Sequence, residues 1–457
     1  MVRKTQFPAF ICGAAALCGG AVIALTTPDQ IVIRVAVVGA LAILSFATRL
    51  LPEAVTALLC FLAFLALGAA PASVIFSGFS SGGFWLLFSG LIIGTAITRS
   101  GLGQQVALRI FSRTGTSYRR AIFMLSLSGI GLGLLVPSTI PRVIVLMPVA
   151  VSLATTMGFT AGSRGQIGLA ITAAVSTLVP TFAILTANLP TIVQYSALET
   201  LYGIEPSYGA YLLAQFPVNL MRFAVLLAVL LPFAKTSKIN PEATLPPVEP
   251  MTQRQKYLLG LLAIAILFWA TDAMHGISPA WIALTVATIL LWPGSGLLEK
   301  DAMRTSVDFS PALFLAGIFA VSAVAGHVGL STLVADSLIP YLELEHGATL
   351  HNLYAITGIS VVISHLTTAP AAPLILVPLA GAMADASGWP VTTVSMAQII
   401  GISTPLLPFQ APPLIVAMAL APIPAAALTR VCVALAVGVA LFGLPLTWLW
   451  WQLIGLF

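Results

Sequence analysis

The sequence predicts an all-α polytopic membrane protein, with about eleven transmembrane helices and two re-entrant hairpins arranged as two inverted repeats. Three observations predict it. Of 457 residues, 59% are apolar and only 7% are charged, where an ordinary globular chain carries about 25% charge. Apolar runs of spanning length recur along the chain. Two of the longest runs are broken by proline at their centres. A soluble fold of this size lacks the charged side chains to cover its outside, so lipid is the solvent for most of the chain. The composition excludes a cytosolic enzyme, a nucleic-acid binder and a disordered chain.

The first candidate span is 8–26. Met1-Val2-Arg3-Lys4 ahead of it imitates a signal peptide, but apolar segments continue to the end and no convincing cleavage site follows, so it reads as a span. Further spans read at 31–49, 53–69, 83–99, 168–194, 208–233, 257–274, 279–293, 309–326, 393–420 and 424–450. The stretches 121–157 and 351–387 are each long enough for two short arms. The first breaks at Val136-Pro137-Ser138-Thr139-Ile140-Pro141 and the second at His365-Leu366-Thr367-Thr368-Ala369-Pro370. Proline removes a backbone donor and stops a helix, so both read as re-entrant hairpins. Irregular backbone at membrane depth is tolerated only where it is packed in protein or lines a wet cavity.

Charge tests this count. With the N-terminus cytoplasmic, the inner loops and span ends collect Arg3, Lys4, Arg49, Arg99, Arg109, Arg113, Arg119, Arg120, Arg164, Lys235, Lys238, Arg254, Lys256, Lys300, Arg304 and Arg430. The outer side collects Asp29, Glu199, Glu205, Asp272, Asp336, Glu343, Glu345 and Asp385, and its loops hold no Lys or Arg. A miscounted span would scramble this segregation. The C-terminus then faces the periplasm of a bacterial inner membrane.

The two halves share an order of events. Gly101-Leu102 and Gly329-Leu330 end corresponding spans, and each leads into an amphipathic stretch, 103–120 or 331–346. A broken hairpin follows in each half. Gly158 and Gly388 close the hairpins and stand 230 positions apart, as do Pro148 and Pro378. The next spans carry Ser176-Thr177 and Ser403-Thr404, and break at Thr186-Ala187-Asn188-Leu189-Pro190 and at Gln410-Ala411-Pro412-Pro413. One hairpin opens inward and the other outward. Residues 1–235 and 257–457 thus read as inverted repeats joined by an inner linker, 236–256, and such repeats with broken helices mark secondary transporters.

The breaks carry the chemistry. A half-helix N-terminus presents unpaired amides and partial positive charge. Ser138 and Thr139 add hydroxyls at one tip, and Thr367 and Thr368 at the other. Arg142 lies one turn past the first tip in an apolar arm, placed to hold a carboxylate or sulfate bidentately. Thr186 and Asn188 complete the substrate set. Asn188 and Gln410 each offer a carbonyl to a cation or an amide to a substrate. Ser138, Thr139, Ser176, Thr177, Asn188, Thr368, Ser403, Thr404, Gln410 and His365 are the candidates for holding a coupling ion, with His365 as a proton site. Arg222 falls in an unbroken span and reads as a packing residue, and Arg34 reads as snorkelling to the interface.

No internal span contains a buried acid, which argues against a carboxylate proton pump and a metal-ion transporter. Cys12, Cys18, Cys60 and Cys432 have neither metal-ligand nor disulfide spacing. There is no P-loop, His-Glu-x-x-His motif or Ser/His/Asp cluster, so neither ATP nor hydrolytic catalysis is expected, and the chain reads as no enzyme.

With these features the chain resembles the divalent anion:sodium symporter family of dicarboxylate, citrate and sulfate carriers, over essentially its whole length. Pro137-Ser138-Thr139-Ile140-Pro141-Arg142 is similar to the Pro-Ser-Asn-Thr-Ala-Arg form of the family's exchanger branch, and Leu185-Thr186-Ala187-Asn188-Leu189-Pro190 to that branch's span break. The family's Ser-Asn-Thr tips are replaced by Ser138-Thr139-Ile140 and Thr368-Ala369-Pro370, so both tip asparagines are missing. The resemblance implies a secondary transporter of small divalent anions, an exchanger or ion-coupled symporter, with no cofactor and with Na+ as the candidate coupling ion. It also implies an elevator mechanism, in which hairpins and broken spans slide against a scaffold on 103–120 and 331–346, and a homodimer formed through the scaffold. The membrane subunit of a binding-protein-dependent anion transporter and a passive anion channel are the alternatives.

Overall fold

The structure is a computed structural model that describes residues 30–48, 50–111, 117–136, 138–236 and 249–457. The candidate span 8–26, Arg3, Lys4, Cys12, Cys18, Asp29, Arg49, Arg113, Pro137, Lys238 and most of the linker lie outside the described residues. Among the described residues all regular structure is helical.

The helices run in chain order as α1 (Ile31–Thr48), α2 (Glu53–Ala66), α3 (Gly82–Ser100), α4 (Leu102–Phe111), α5 (Tyr118–Leu135), α6 (Thr139–Thr156), α7 (Arg164–Ser176), α8 (Leu189–Tyr202), α9 (Tyr208–Leu230) and α10 (Gln253–Ala270). Then come α11 (Pro279–Leu291), α12 (Ser310–His327), α13 (Leu330–Leu338), α14 (Thr349–Leu366), α15 (Ala372–Leu376), α16 (Ala380–Ser387), α17 (Val391–Ile402), α18 (Pro412–Leu420), α19 (Ala425–Gly438) and α20 (Leu444–Leu453). Short helical turns fill several of the connections. Six of the described helical segments are long and apolar enough to cross a membrane: 82–100, 139–156, 164–183, 208–233, 310–327 and 425–453. A 119° bend separates 372–387 from 391–402, where Gly388 takes a left-handed φ of 74°. Gly158 does the same at 87° after α6, a conformation that costs other residues their Cβ clearance.

Caps and prolines set the element ends. Ser163 and Ser207 accept from the backbone of Gln166 and Ala210, three residues on. Thr252 and Gln255 form a capping box, so α10 starts at Gln253, ahead of the expected 257. The half-helices α6, α8, α15 and α18 all carry proline within their first three positions: Pro141, Pro190, Pro373, and Pro412 with Pro413. There the missing N–H would have had no helical partner. The last span is continuous from α19 to α20 through a π turn at Val439–Gly443, which precedes Pro445 and relieves its clash with the preceding turn.

The breaks fall a few residues from where the sequence places them. Ile140 and Pro141 are already helical in α6, and His365 and Leu366 still belong to α14, so Val136 and Ser138 flank the first tip and the second is 367–371. The first broken span opens at Thr177 and closes at Asn188, with Leu189 and Pro190 inside α8. The second opens at Ser403, well before Gln410. The Ser-Thr pairs therefore mark where the breaks start. Matched prolines also differ: α6 runs through Pro148, whereas the chain unwinds around Pro378 between α15 and α16. The amphipathic stretch after Gly329 ends its helical turn at Leu342, and Glu343 follows in a left-handed conformation.

The chain folds as two compact units that each draw on both halves of the sequence. One takes Met1–Trp85, Val193–Glu205 and Asp308–Ile402, and the other Leu86–Ile192, Pro206–Val307 and Ser403–Phe457. In the first, α12 packs against α2 so closely that a Cβ on Gly317 would lie 2.5 Å from Ala57 Cβ. The pair α14–α17 is the other main contact. In the second, α5, α6 and α18 pack around α7, while α9 packs against α19 and α20. Close approach through small residues is how apolar helices gain contact in lipid.

Candidate functional site

The first break is assembled from α6, α7 and α8. As α7 ends, Thr177 turns its hydroxyl back to Ala174 O (2.9 Å), and Thr181 turns its own to Leu178 O (2.7 Å). These bonds satisfy carbonyls that lost their helical donors. Asn188, fully buried, donates its amide to Thr181 Oγ1 at 3.2 Å. Its Oδ1 receives the Thr139 hydroxyl at 2.8 Å.

Arg142 closes this network from the first turns of α6. Its Nη2 donates to Thr139 Oγ1 and Ala187 O, both at 2.7 Å, and to Asn188 Oδ1 at 2.9 Å. Its Nε donates to Ser138 O at 3.2 Å. The guanidinium is 0% exposed, and Nη1 is buried with no hydrogen-bond partner. Gly133 makes room for it, since a Cβ there would lie 2.8 Å from Nη1. No described carboxylate pairs with Arg142; the described ion pairs Arg99–Glu299 and Arg304–Asp301 lie on exposed side chains. An ionised donor surrounded by neutral oxygens, with the two N–H groups of Nη1 unspent, is equipped to take an anion.

Other predicted residues take different places. Ser138 is the N-cap of α6 by position, but its side chain makes no capping bond. Thr186 stays in the first break beside the Tyr208 hydroxyl. Ser176 buries an unpartnered hydroxyl against Gly129. Thr367 donates back to Ile363 O at 2.7 Å, Thr368 is half-buried at the second tip, and a ring nitrogen of His365 bonds Val361 O one turn back. Thr367, Thr368 and His365 belong to the other compact unit from Arg142.

The second break corrects the reading of Arg222. This residue is fully buried on α9 and donates through Nη1 to Ser403 Oγ (2.8 Å) and through Nη2 to Thr404 Oγ1 (2.6 Å). Asn219 Oδ1 also lies 3.2 Å from Nη1. Arg222 is thus a break residue, brought there by tertiary packing and not by any break in its own helix. Gln410 folds its carbonyl back onto Leu406 N and Leu407 N, both at 2.8 Å.

Two residues outside the sequence expectation hold the first unit together. Tyr202 donates its hydroxyl to Val377 O (3.0 Å) and accepts from Gly381 N (3.0 Å), bridging the unwound turn at Pro378. Glu199 accepts from Gly82 N with both carboxylate oxygens, at 2.9 and 2.7 Å, at the start of α3. Burial pushes the Glu199 carboxyl above its ordinary value, against the pull of the Gly82 amide, and Glu205 adds to the rise. Arg222 stands out in the sequence only as a charge inside a span, and nothing marks Tyr202 or the partners of either, because those partners are distant in the chain. Among the described residues no group of three His, Cys, Asp or Glu side chains could hold a metal ion.

The fold is found in other transporters. The YdaH transporter of Alcanivorax borkumensis superposes with a TM-score of 0.56 at 16% identity, covering 84% of this chain and 88% of that one. MtrF of Neisseria gonorrhoeae, from a class of antimetabolite efflux pumps, gives 0.55 at 14% identity and 82% of each chain. In sequence, a membrane protein of Cupriavidus necator is 27% identical over 74% of this chain and 68% of its own length. The inner membrane protein YbhI of Escherichia coli K12 is 22% identical over 74% and 72%. An L-tartrate/succinate antiporter of E. coli UTI89 is 25% identical over 47% of this chain and 46% of its own. Residues 19–457 match the family model of the sodium:sulfate symporter transmembrane region. The chain is therefore an integral, multi-pass membrane transporter and belongs to the divalent anion:sodium symporter family.

Proposed function

We propose that this protein exchanges small divalent anions, dicarboxylates foremost, across a bacterial inner membrane. The observation that carries the reading is Arg142. Its guanidinium sits among the oxygens of Ser138, Thr139, Ala187 and Asn188, which are the ligand types an alkali cation takes. A fixed cation in that position removes the need for a mobile one, and Nη1 remains to meet the substrate. The tartrate/succinate antiporter among the relatives supports the dicarboxylate class.

Charge then sets the coupling. Arg142 and Arg222 bring two positive charges to the two breaks of one unit. Moving a buried ion through low dielectric without a counter-charge costs several kcal/mol per ion. A bound dianion balances both guanidiniums, so the loaded carrier crosses and the empty one stays. Exchange follows from this without Na+. The elevator motion, the inverted repeats 1–235 and 257–457, the re-entrant hairpins, the cytoplasmic N-terminus and the homodimer belong to the same proposal. The amphipathic α4 and α13 serve it as the arms on which the hairpins and broken spans move.

Counterflow in proteoliposomes tests this. Vesicles preloaded with succinate, tartrate or sulfate take up the labelled anion with and without Na+. Arg142→Ala is expected to lower exchange by roughly 10- to 100-fold, the value of one charge-assisted hydrogen bond. Unchanged exchange in that variant removes the anion-site assignment. The family's description favours a second reading, Na+ symport. Uptake into empty vesicles that requires an inward Na+ gradient would establish it instead.

A further inference from the structure

The second break offers much less backbone to an anion than its position suggests. Helix α18 begins at Pro412-Pro413, two residues without an N–H, so its first two positions present no donor. The next amide, Leu414 N, is already spent on Ala411 O at 2.8 Å. Ser403 and Thr404 accept the Arg222 guanidinium through their hydroxyl oxygens. Leu406 N and Leu407 N are taken up by Gln410 Oε1.

Gln410 supplies a donor that none of these bonds uses. Gln410 is 1% exposed, and its Nε2 is buried with no hydrogen-bond partner. The orientation of the amide is fixed by chemistry: the oxygen must face the two backbone N–H groups that donate to it, so the NH2 group points away from them. The side-chain carbonyl, the only part of the Gln410 side chain able to bind a cation, already accepts two backbone N–H groups. A buried donor without a partner is destabilising, and native structures keep such groups where they serve something. Arg142 Nη1 is the matching unspent donor of the first break in the same unit.

We infer that Gln410 is a substrate-contacting residue, whose Nε2 donates to an acceptor oxygen of the carried anion and not to any coupling ion. Being neutral, it recognises a carboxylate, keto or hydroxyl oxygen without adding to the charge that Arg142 and Arg222 supply. The inference rests on the anion-exchange reading above.

Gln410→Glu separates the two ends of the side chain. A carboxylate keeps an oxygen for Leu406 N and Leu407 N and replaces the donor by an acceptor. Counterflow of labelled succinate at pH 8 gives KM and kcat, and a thermal melt reports folding. With wild-type exchange intact, Gln410→Glu is expected to raise KM at least tenfold in a protein that still melts cooperatively, at a lower temperature because its carboxylate is buried. Gln410→Leu, which loses both ends, is expected to raise KM equally and to melt lower. An unchanged KM in Gln410→Glu, or a fall in kcat alone, overturns the inference and leaves the exchange reading standing. Restored affinity of Gln410→Glu on adding Na+ also overturns it, since the position would then be a cation site. Wild-type protein that exchanges no anion overturns both.

Discussion

At the scale of single residues, the two buried arginines show what a sequence can and cannot declare. Arg142 is legible because it stands next to a proline-marked tip in an apolar arm. Arg222 is not, because the hydroxyls it serves lie 181 and 182 positions away. Each guanidinium makes charge-assisted bonds worth about 1.5–3 kcal/mol apiece, so Arg222→Ala is expected to lower exchange at least tenfold and to lower the melting temperature as well. Arg142→Lys keeps the charge but cannot reproduce the fork that spans Thr139, Ala187 and Asn188. Its counterflow should fall between wild type and Arg142→Ala. Gly133→Ala puts a methyl 2.6 Å from Thr181 Cγ2 and 2.8 Å from Arg142 Nη1. Overpacking of that kind costs about 1–3 kcal/mol, and a melt together with succinate KM separates lost stability from a displaced guanidinium.

At the scale of elements, the Pro and Ser-Thr punctuation located both hairpin tips and both span openings to within a few residues, and missed the unwinding at Pro378. A proline is accommodated in the first turn of a helix, so Pro141, Pro190 and Pro412 lie just inside the helices that the breaks precede. Pro148 and Pro378 occupy matched positions, yet only the second interrupts its helix. At the second, Tyr202 takes up Gly381 N and adds a donor to Val377 O, which also accepts from Ala380 N. Tyr202→Phe leaves Gly381 N unpaired and is expected to destabilise by about 1–3 kcal/mol, read as a lower melting temperature. Glu199 ties α8 to the first amide of α3. Its carboxyl titrates above the ordinary 4.5 because of burial. The folded state therefore holds the proton more tightly than the unfolded state, and this contribution to stability is present below 4.5 and lost as pH rises through the raised value. Melts of wild type should decline with pH across that window relative to Glu199→Gln, which retains an acceptor for Gly82 N. Parallel pH profiles would place the titration elsewhere.

At the scale of the whole molecule, compact units and sequence halves are different partitions of the same chain. Each unit takes helices from before and after the linker, as a chain of broken and paired spans permits. The exchange mechanism predicts that preloaded vesicles release labelled succinate rapidly only when the outer buffer holds a permitted anion. Release into anion-free buffer at the same rate would mean that the empty carrier crosses as readily as the loaded one.

The sequence by itself determined the membrane class, the helical content, the four broken elements and Arg142. Those follow from composition, run length and proline placement, all of which are local. Only the tertiary structure decided which side chains meet at a break. It gave Arg222 to Ser403 and Thr404, joined Arg142 to Asn188, turned the Gln410 carbonyl inward, and set Tyr202 beside Pro378. Broken helices leave backbone groups that must find partners in a medium without water. Those partners come from whichever helix packs alongside, and packing joins residues that the chain keeps far apart.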